Sequence, residues 1–373
     1  MIYLDNAATT KPCPECLAAV TRAMENTFGN AGSLHRLGTD SLQIISHTKR
    51  ILLSALSGTK TPLEGERLFT SGATESNNTA LLGSAHRFAR GFDKSARKII
   101  STAIEHPSVA KTLTRFEEDD FEVVRLAPKN SDNFVEALIS AVDENTVLLS
   151  AMAVNNETGF AIDVPYLYKE VKRRNPKTIV HIDAVQGFLK VPLDGDLISI
   201  SGHKIHSTKG IGALYIKKGE TILPLLLGGG QQHGLRSGTE PVELIAGLEA
   251  AIRAYHGTPE HFSSLKNRLL ERLSLIKDIA INSGSGCLPN IVNFSVRGVR
   301  SEIMLHSLEE DGIYVSSGSA CSKGKPSGVL GAFGVSDKDA DCAVRVSFCA
   351  ENTAADVDAL CNKIKKTIER VRR

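Results

Sequence analysis

Short apolar runs alternate with amphipathic stretches through the first 220 residues of the chain. Runs at 67–70, 98–102, 121–126, 146–151, 178–183, 196–201 and 212–216 are strand candidates. Between them, stretches near 74–90, 107–117, 132–142 and 164–175 repeat apolar residues at helical spacing. Strands that alternate with helices predict βαβ units and a mainly parallel sheet. After about residue 235 the pattern changes. A long helical stretch at 238–277, apolar runs at 290–296, 313–317 and 343–349, and a closing helix at 353–372 predict a smaller α+β region. The glycine-rich segment 227–232 reads as a surface loop rather than a hinge.

Ligands of such sheets bind beyond the carboxyl ends of the strands. Polar and glycine-rich segments fall there: Ser71-Gly72-Ala73-Thr74, Glu105-His106, Asn155-Asn156-Glu157, Asp183-Ala184-Val185-Gln186 and Ser201-Gly202-His203-Lys204.

Composition narrows the class. The 373 residues carry 44 Lys and Arg against 42 Asp and Glu, a net charge of +2, which argues against a dedicated nucleic-acid binder. The hydrophobic share, 42%, is that of a globular protein, and the length suggests two domains. No apolar run approaches the ~20 residues of a membrane helix, and the start shows no signal peptide. Seven scattered cysteines point to reduced thiols in a cytoplasmic compartment.

Lys204 stands just past a strand. A loop lysine is ordinarily a solvated charge, but a partly buried amine at a strand end has a lowered pKa and can form a Schiff base. Asp183 ends the preceding strand. A lysine for an aldehyde and an aspartate for a pyridinium nitrogen are what a protein contributes to pyridoxal phosphate chemistry. The turn at 70–77 runs from a strand into a helix, whose free N–H groups suit a phosphate. Thr74 can equally be an ordinary N-cap there. His106 can stack on a flat ring or move a proton. Cys321 lies among small residues, followed by Lys323 and Lys325, a setting that favours an accessible thiolate. Cys287, Cys342, Cys349 and Cys361 read as packing residues. Arg345 interrupts an alternating strand and either faces solvent or reaches a carboxylate. His203 and His206 form a close pair, and Cys13-Pro14-Glu15-Cys16 a second, but no completing cluster exists and no metal is expected.

With these residues in view, the chain resembles the cysteine desulfurases of the NifS/IscS group, within the class V aminotransferase-like, fold-type I pyridoxal phosphate enzymes. The resemblance spans nearly the whole length. It is carried by 3–10, 70–78, Glu105-His106, 155–159, 183–186, 201–204, Arg236-Ser237-Gly238-Thr239 and 316–321. It implies a large cofactor-binding domain, 16–255, with a mainly parallel seven-stranded sheet. Residues 1–15 together with 256–373 form the small α+β domain, which carries the cysteine loop.

The resemblance also implies roles. Lys204 holds the cofactor as an aldimine, Asp183 pairs with the ring nitrogen, and Gln186 and Asn156 approach the phenolic oxygen. His106 stacks on the ring as an acid–base group. Ala73, Thr74, Ser201 and His203 hold the phosphate, and Thr239 reaches that of a second protomer, which implies a homodimer. Asn30, Asn156 and Arg345 position the substrate, L-cysteine. Cys321 accepts sulfur as a persulfide, for an iron–sulfur scaffold or a thiolation enzyme. The alternative within this resemblance is a selenocysteine lyase or another class V enzyme. The chain departs from the usual pattern at 29–33, 207–210 and 232–235, and its loop after Cys321 is about two residues shorter than usual.

Overall fold

The computed structural model describes residues 1–57, 64–91, 97–130, 133–317 and 328–371. Cys321 therefore lies outside the described residues. The chain divides into two units, one of 11–153 with 162–255, the other of 1–10, 154–161 and 256–373.

In the first unit all seven predicted strands form one sheet. Its order is Gly65–Thr70, Gly212–Lys217, Leu197–Ser201, Ile179–Asp183, Thr146–Met152, Lys98–Thr102, Glu122–Leu126. Six strands share one direction, and Gly212–Lys217 runs against them, antiparallel to both of its neighbours. The strands Thr146–Met152, Ile179–Asp183 and Leu197–Ser201 are buried at every residue, which is why they read as mainly apolar runs. Leu68, Leu81, Ile99, Leu113, Leu148 and Leu197 pack into one core. Each such side chain contributes about 1.5–3 kcal/mol by leaving water.

The helices carry their own start signals. Pro107–Glu118 has His106 as N-cap, Pro107 in its first turn, and buries Val109, Thr112, Leu113 and Phe116 on one face. Val164–Arg174 is capped by Asp163, whose carboxylate accepts from the Tyr166 N–H at 3.1 Å. It ends in Lys172, Arg173 and Arg174, which oppose the helix dipole. Two helices absent from the sequence prediction, Pro14–Asn26 and Arg36–Leu56, precede the sheet.

The second unit has a four-stranded antiparallel sheet, in the order Ser316–Ser317, Ala343–Ser347, Ile291–Val296, Ile279–Ile281. Ile2–Tyr3 pairs in parallel with Ile313–Tyr314. Val292, Phe294, Val344 and Val346 meet Leu269 and Leu360 from helices Pro259–Ser274 and Ala354–Val371. The long helical stretch expected at 238–277 is two helices, Val242–Ala254 and Pro259–Ser274. The break has a plain cause: Thr258 caps the second helix through the His261 N–H at 3.3 Å, and Pro259 cannot continue the first. No helix among the described residues is long and apolar enough to cross a membrane.

Candidate active site

In the first unit the carboxyl ends of the parallel strands gather most of the expected groups. Asp183 is the last residue of its strand and is buried. Its carboxylate accepts from the Asn77 side-chain amide at 2.8 Å and from the Val185 N–H at 3.0 Å. The same Asn77 amide donates to Ser108 Oγ at 2.9 Å, and Ser108 Oγ meets His106 Nδ1 at 2.9 Å. A continuous chain, Asp183–Asn77–Ser108–His106, thus joins three elements. Burial pushes the Asp183 carboxyl above its ordinary range, against the Val185 and Asn77 hydrogen bonds and the His106 and Lys204 charges. The His106 pKa is lowered, by the surrounding protein and by Lys204, with Asp183 opposing.

Lys204 is half-buried in the short 3-10 turn Gly202–Lys204, which follows strand Leu197–Ser201 directly. Its charge acts on Asp183, His106, Lys190 and His203. Burial, helped by that charge, pushes His203 down to about 4. Lys190 is pushed down to about 8, again by burial first and by Lys204 second. Gln186 is buried on the turn after Asp183.

Register explains why the turn carrying Thr74 and the turn carrying Lys204 emerge together. Thr70 and Ser201, the last residues of their strands, both pair with Gly212 on the strand between them. A Cβ on Gly212 would stand 2.8 Å from Gly72 Cα and 2.7 Å from the Ile200 carbonyl oxygen, so only glycine allows this approach. The helix Ala73–Gly91 begins right after Gly72, whose carbonyl accepts from the Ser76 N–H at 3.1 Å. Thr74 is therefore an exposed residue inside the first turn and not the N-cap. Glu75 takes the Ser71 N–H at 2.7 Å and pairs with Arg236 at 2.9 Å. Burial raises the Glu75 carboxyl, but Arg236 and Ser71 outweigh it and hold the group below its usual range.

Sequence reasoning assigned no role to Asn77, Ser108 or Glu105. Glu105 is buried, and its Oε1 accepts from Thr102 Oγ1 at 2.5 Å and from the Met152 N–H at 2.8 Å. Its Oε2 has no partner. Burial, with the Asp183 charge adding, pushes this carboxyl up to about 8. Asn30 and Thr239 are exposed on loops, and Asn30 turns its side chain onto the Gly32 N–H at 2.9 Å.

In the second unit Arg345 is buried in the middle of strand Ala343–Ser347 and reaches a carboxylate. Nη2 donates to Asp5 at 2.6 Å and Nη1 to the Asn156 carbonyl at 3.0 Å. Nε is buried without a partner. Burial pushes Cys349 up to about 12 and Cys361 up to about 11, in keeping with packing roles.

The aminotransferase class-V family model matches residues 2–360. A cysteine desulfurase of Trichormus azollae is 36% identical over 386 residues, which cover 100% of this chain and 94% of that protein. Among solved structures, a NifS-like protein superposes with a TM-score of 0.88 at 33% identity, covering 99% of each chain. SspA, solved in complex with cysteine, superposes with a TM-score of 0.81 at 29% identity, covering 95% of this chain and 100% of that one. With the sheet order, the strand-end cluster and these full-length matches together, the chain belongs to the aminotransferase class-V family, in its cysteine desulfurase group.

Proposed function

We propose that the chain is a pyridoxal phosphate-dependent cysteine desulfurase that converts L-cysteine to L-alanine and takes the sulfur onto Cys321 as a persulfide. The observation that carries this reading is the convergence of Lys204, buried Asp183 and His106 beyond the parallel strands. The family is pyridoxal phosphate-dependent, and the donor set here suits that group. It offers a buried carboxylate for a protonated ring nitrogen, an amine for the aldehyde, and a helix start with hydroxyls for the phosphate. When bound, the cofactor supplies an electron sink for charge developing on the substrate α-carbon.

Lys204 would hold the cofactor covalently, and its amine, once released, takes the substrate α-proton. Asp183, fixed by Asn77 and Val185, would face the ring nitrogen. His106, tied to the same network through Ser108, would stack on the ring and move protons. Gln186 and Asn156 would approach the phenolic oxygen, and Ala73, Thr74, Ser201 and His203 the phosphate. Thr239 would serve the phosphate site of a second protomer in a homodimer. Arg345 binds the substrate carboxylate, with Asn30 and Asn156 helping to place it. Two of the guanidinium's N–H groups are held by Asp5 and Asn156, and the free Nε leaves an edge to receive two oxygens.

The Cys321 thiolate attacks the substrate sulfur. The new S–S bond forms as the substrate C–S bond breaks, and that electron pair returns to the carbon framework released as alanine. The persulfide then passes to an acceptor protein, in a cytoplasmic, reducing compartment and without direct nucleic-acid contact.

Cys321→Ser is the test. The variant should keep the visible absorbance of the loaded protein and lose sulfide production. Undiminished turnover in that variant would remove Cys321 from the reaction. Comparing kcat/KM for cysteine and selenocysteine checks the substrate. A higher value for selenocysteine would make the enzyme a lyase for that amino acid.

A further inference from the structure

Cys13 and Cys16 have no part in the reaction just described, yet they form a built pair. Cys13 is the N-cap of helix Pro14–Asn26, and its Sγ accepts the Cys16 backbone N–H at 3.4 Å. Cys13 is half-buried, whereas Cys16 is fully buried. The Cys16 thiol donates to Ser207 Oγ at 3.8 Å, and the Thr208 backbone N–H also reaches its sulfur. Gly247 packs on the other side, where a Cβ would stand 3.1 Å from Cys16 Sγ. The Cys13 N–H donates to the His206 carbonyl at 2.9 Å, and His206 Nδ1 donates to the Lys11 carbonyl at 3.0 Å. The dithiol is thus bonded directly to residues 206–208, which follow Lys204 in the chain.

We propose that Cys13 and Cys16 are an oxidative modification site, closing to an intramolecular disulfide whose formation is felt by the segment carrying Lys204. A half-exposed first thiol and a buried second, three residues apart at a helix start, share the spacing and placement of C-x-x-C pairs. Residues three apart on a helix have Cβ atoms about 5–6 Å apart, whereas a disulfide holds them at about 3.5–4.5 Å. Closure therefore draws the first turn inward by about an ångström. The displaced atoms are those that hold the His206 carbonyl and the Ser207 hydroxyl.

The oxidant is a small-molecule disulfide. The Cys13 thiolate attacks one of its sulfurs, and the first small thiolate leaves. Cys16 then attacks the Cys13 sulfur of the mixed disulfide and expels the second. Two electrons pass to the oxidant, and the two protons end on the released thiols. Burial raises the pKa of both thiols, so the exchange is slow at neutral pH and suits a persistent modification rather than a turnover step.

The test uses full-length Cys321→Ser protein, so that the other reactive thiol is silent. The protein is equilibrated anaerobically across ratios of reduced to oxidised glutathione, acid-quenched, alkylated and digested. The peptide holding Cys13 and Cys16 should become two hydrogens lighter and resist alkylation as the buffer turns oxidising. Amide exchange in residues 201–211 should change several-fold between the two forms. Cys16→Ala should show neither effect, and Cys13→Ser, which keeps an N-cap oxygen, should fold normally and also show neither. Full alkylation of both sulfurs at every ratio, or a glutathione adduct that stops on Cys13, would overturn the proposal. A disulfide that forms without any change of exchange at 201–211 would overturn the coupling to Lys204.

Discussion

Replacing Glu105 by glutamine should make the protein more stable at pH 8 while leaving it no more stable near pH 4.5. Glu105 is buried with one oxygen unpartnered, and its carboxyl is pushed up from 4.5 to about 8. In the unfolded chain the same group ionises at its ordinary value. Below pH 4.5 both states are protonated, and the group adds no pH dependence. Between pH 4.5 and 8 the unfolded chain releases a proton that the folded chain keeps, so stability falls as pH rises. Each unit costs about 1.36 kcal/mol, which over this window gives about 5 kcal/mol as an upper limit. Glutamine keeps an acceptor for Thr102 Oγ1 and the Met152 N–H but cannot ionise. Urea midpoints of both proteins between pH 5 and 8.5 measure the difference. The wild-type midpoint should fall with pH more steeply than that of the variant. Parallel profiles, or a variant weaker than wild type at pH 8, would refute an un-ionised Glu105.

Three further outcomes follow from the same geometry. Lys204→Ala should lose both the visible absorbance of the loaded protein and alanine formation, while its thermal midpoint without added cofactor stays close to that of wild type. Arg345→Lys should raise KM for cysteine roughly 10–100-fold, the equivalent of a lost charge-assisted hydrogen bond of about 1.5–3 kcal/mol, without altering that absorbance. Asp5→Asn should raise KM less, because the Asn156 carbonyl still holds the guanidinium; steady-state kinetics distinguish the two. His181 is buried between Ser150 Oγ at 2.9 Å and Ser199 Oγ at 3.0 Å, and burial pushes it down to about 3. Its folded pKa lies below the unfolded value, so stability is full above pH 6.5 and falls as pH drops toward 3. His181→Asn should flatten that decline while losing about 1–3 kcal/mol at neutral pH, read from denaturant midpoints.

The sheet was legible because its central strands are buried on both faces and therefore read as short, mainly apolar runs between amphipathic helices. The residues at its carboxyl ends were legible because an open parallel sheet binds its ligands beyond those ends, where polar and glycine-rich segments fall. Three things were hidden. The helices Pro14–Asn26 and Arg36–Leu56 precede any strand, so no alternation announces them, and the cap of the first is a cysteine rather than an oxygen-bearing residue. Asn77 and Ser108 are small polar residues on helices, and only the fold shows that they bridge Asp183 to His106. The polarity of Arg345 in an apolar strand was visible. Its partner Asp5 lies 340 residues away and was not.

That distance has a consequence for synthesis. The strand Ile2–Tyr3 finds its partner only at Ile313–Tyr314, and Asn6 donates to the Ser347 carbonyl at 2.9 Å, 341 residues on. Residues 1–10 and 154–161 belong to a unit whose remainder is 256–373. Chains grow at about 5–20 residues per second, so the seven-stranded unit is complete seconds before strand Ile2–Tyr3 has its partner to pair with. Through that interval the first ten residues wait without their strand partner, whereas the excursion holding Asn156 closes on itself through the Val154–Ala161 bridge and the Asn155 N–H to the Phe160 carbonyl at 2.8 Å. Capture of the first ten residues is the final long-range event of folding. A nascent chain stalled after residue 255 has emerged should already resist protease in its seven-stranded part while being cut within 1–10.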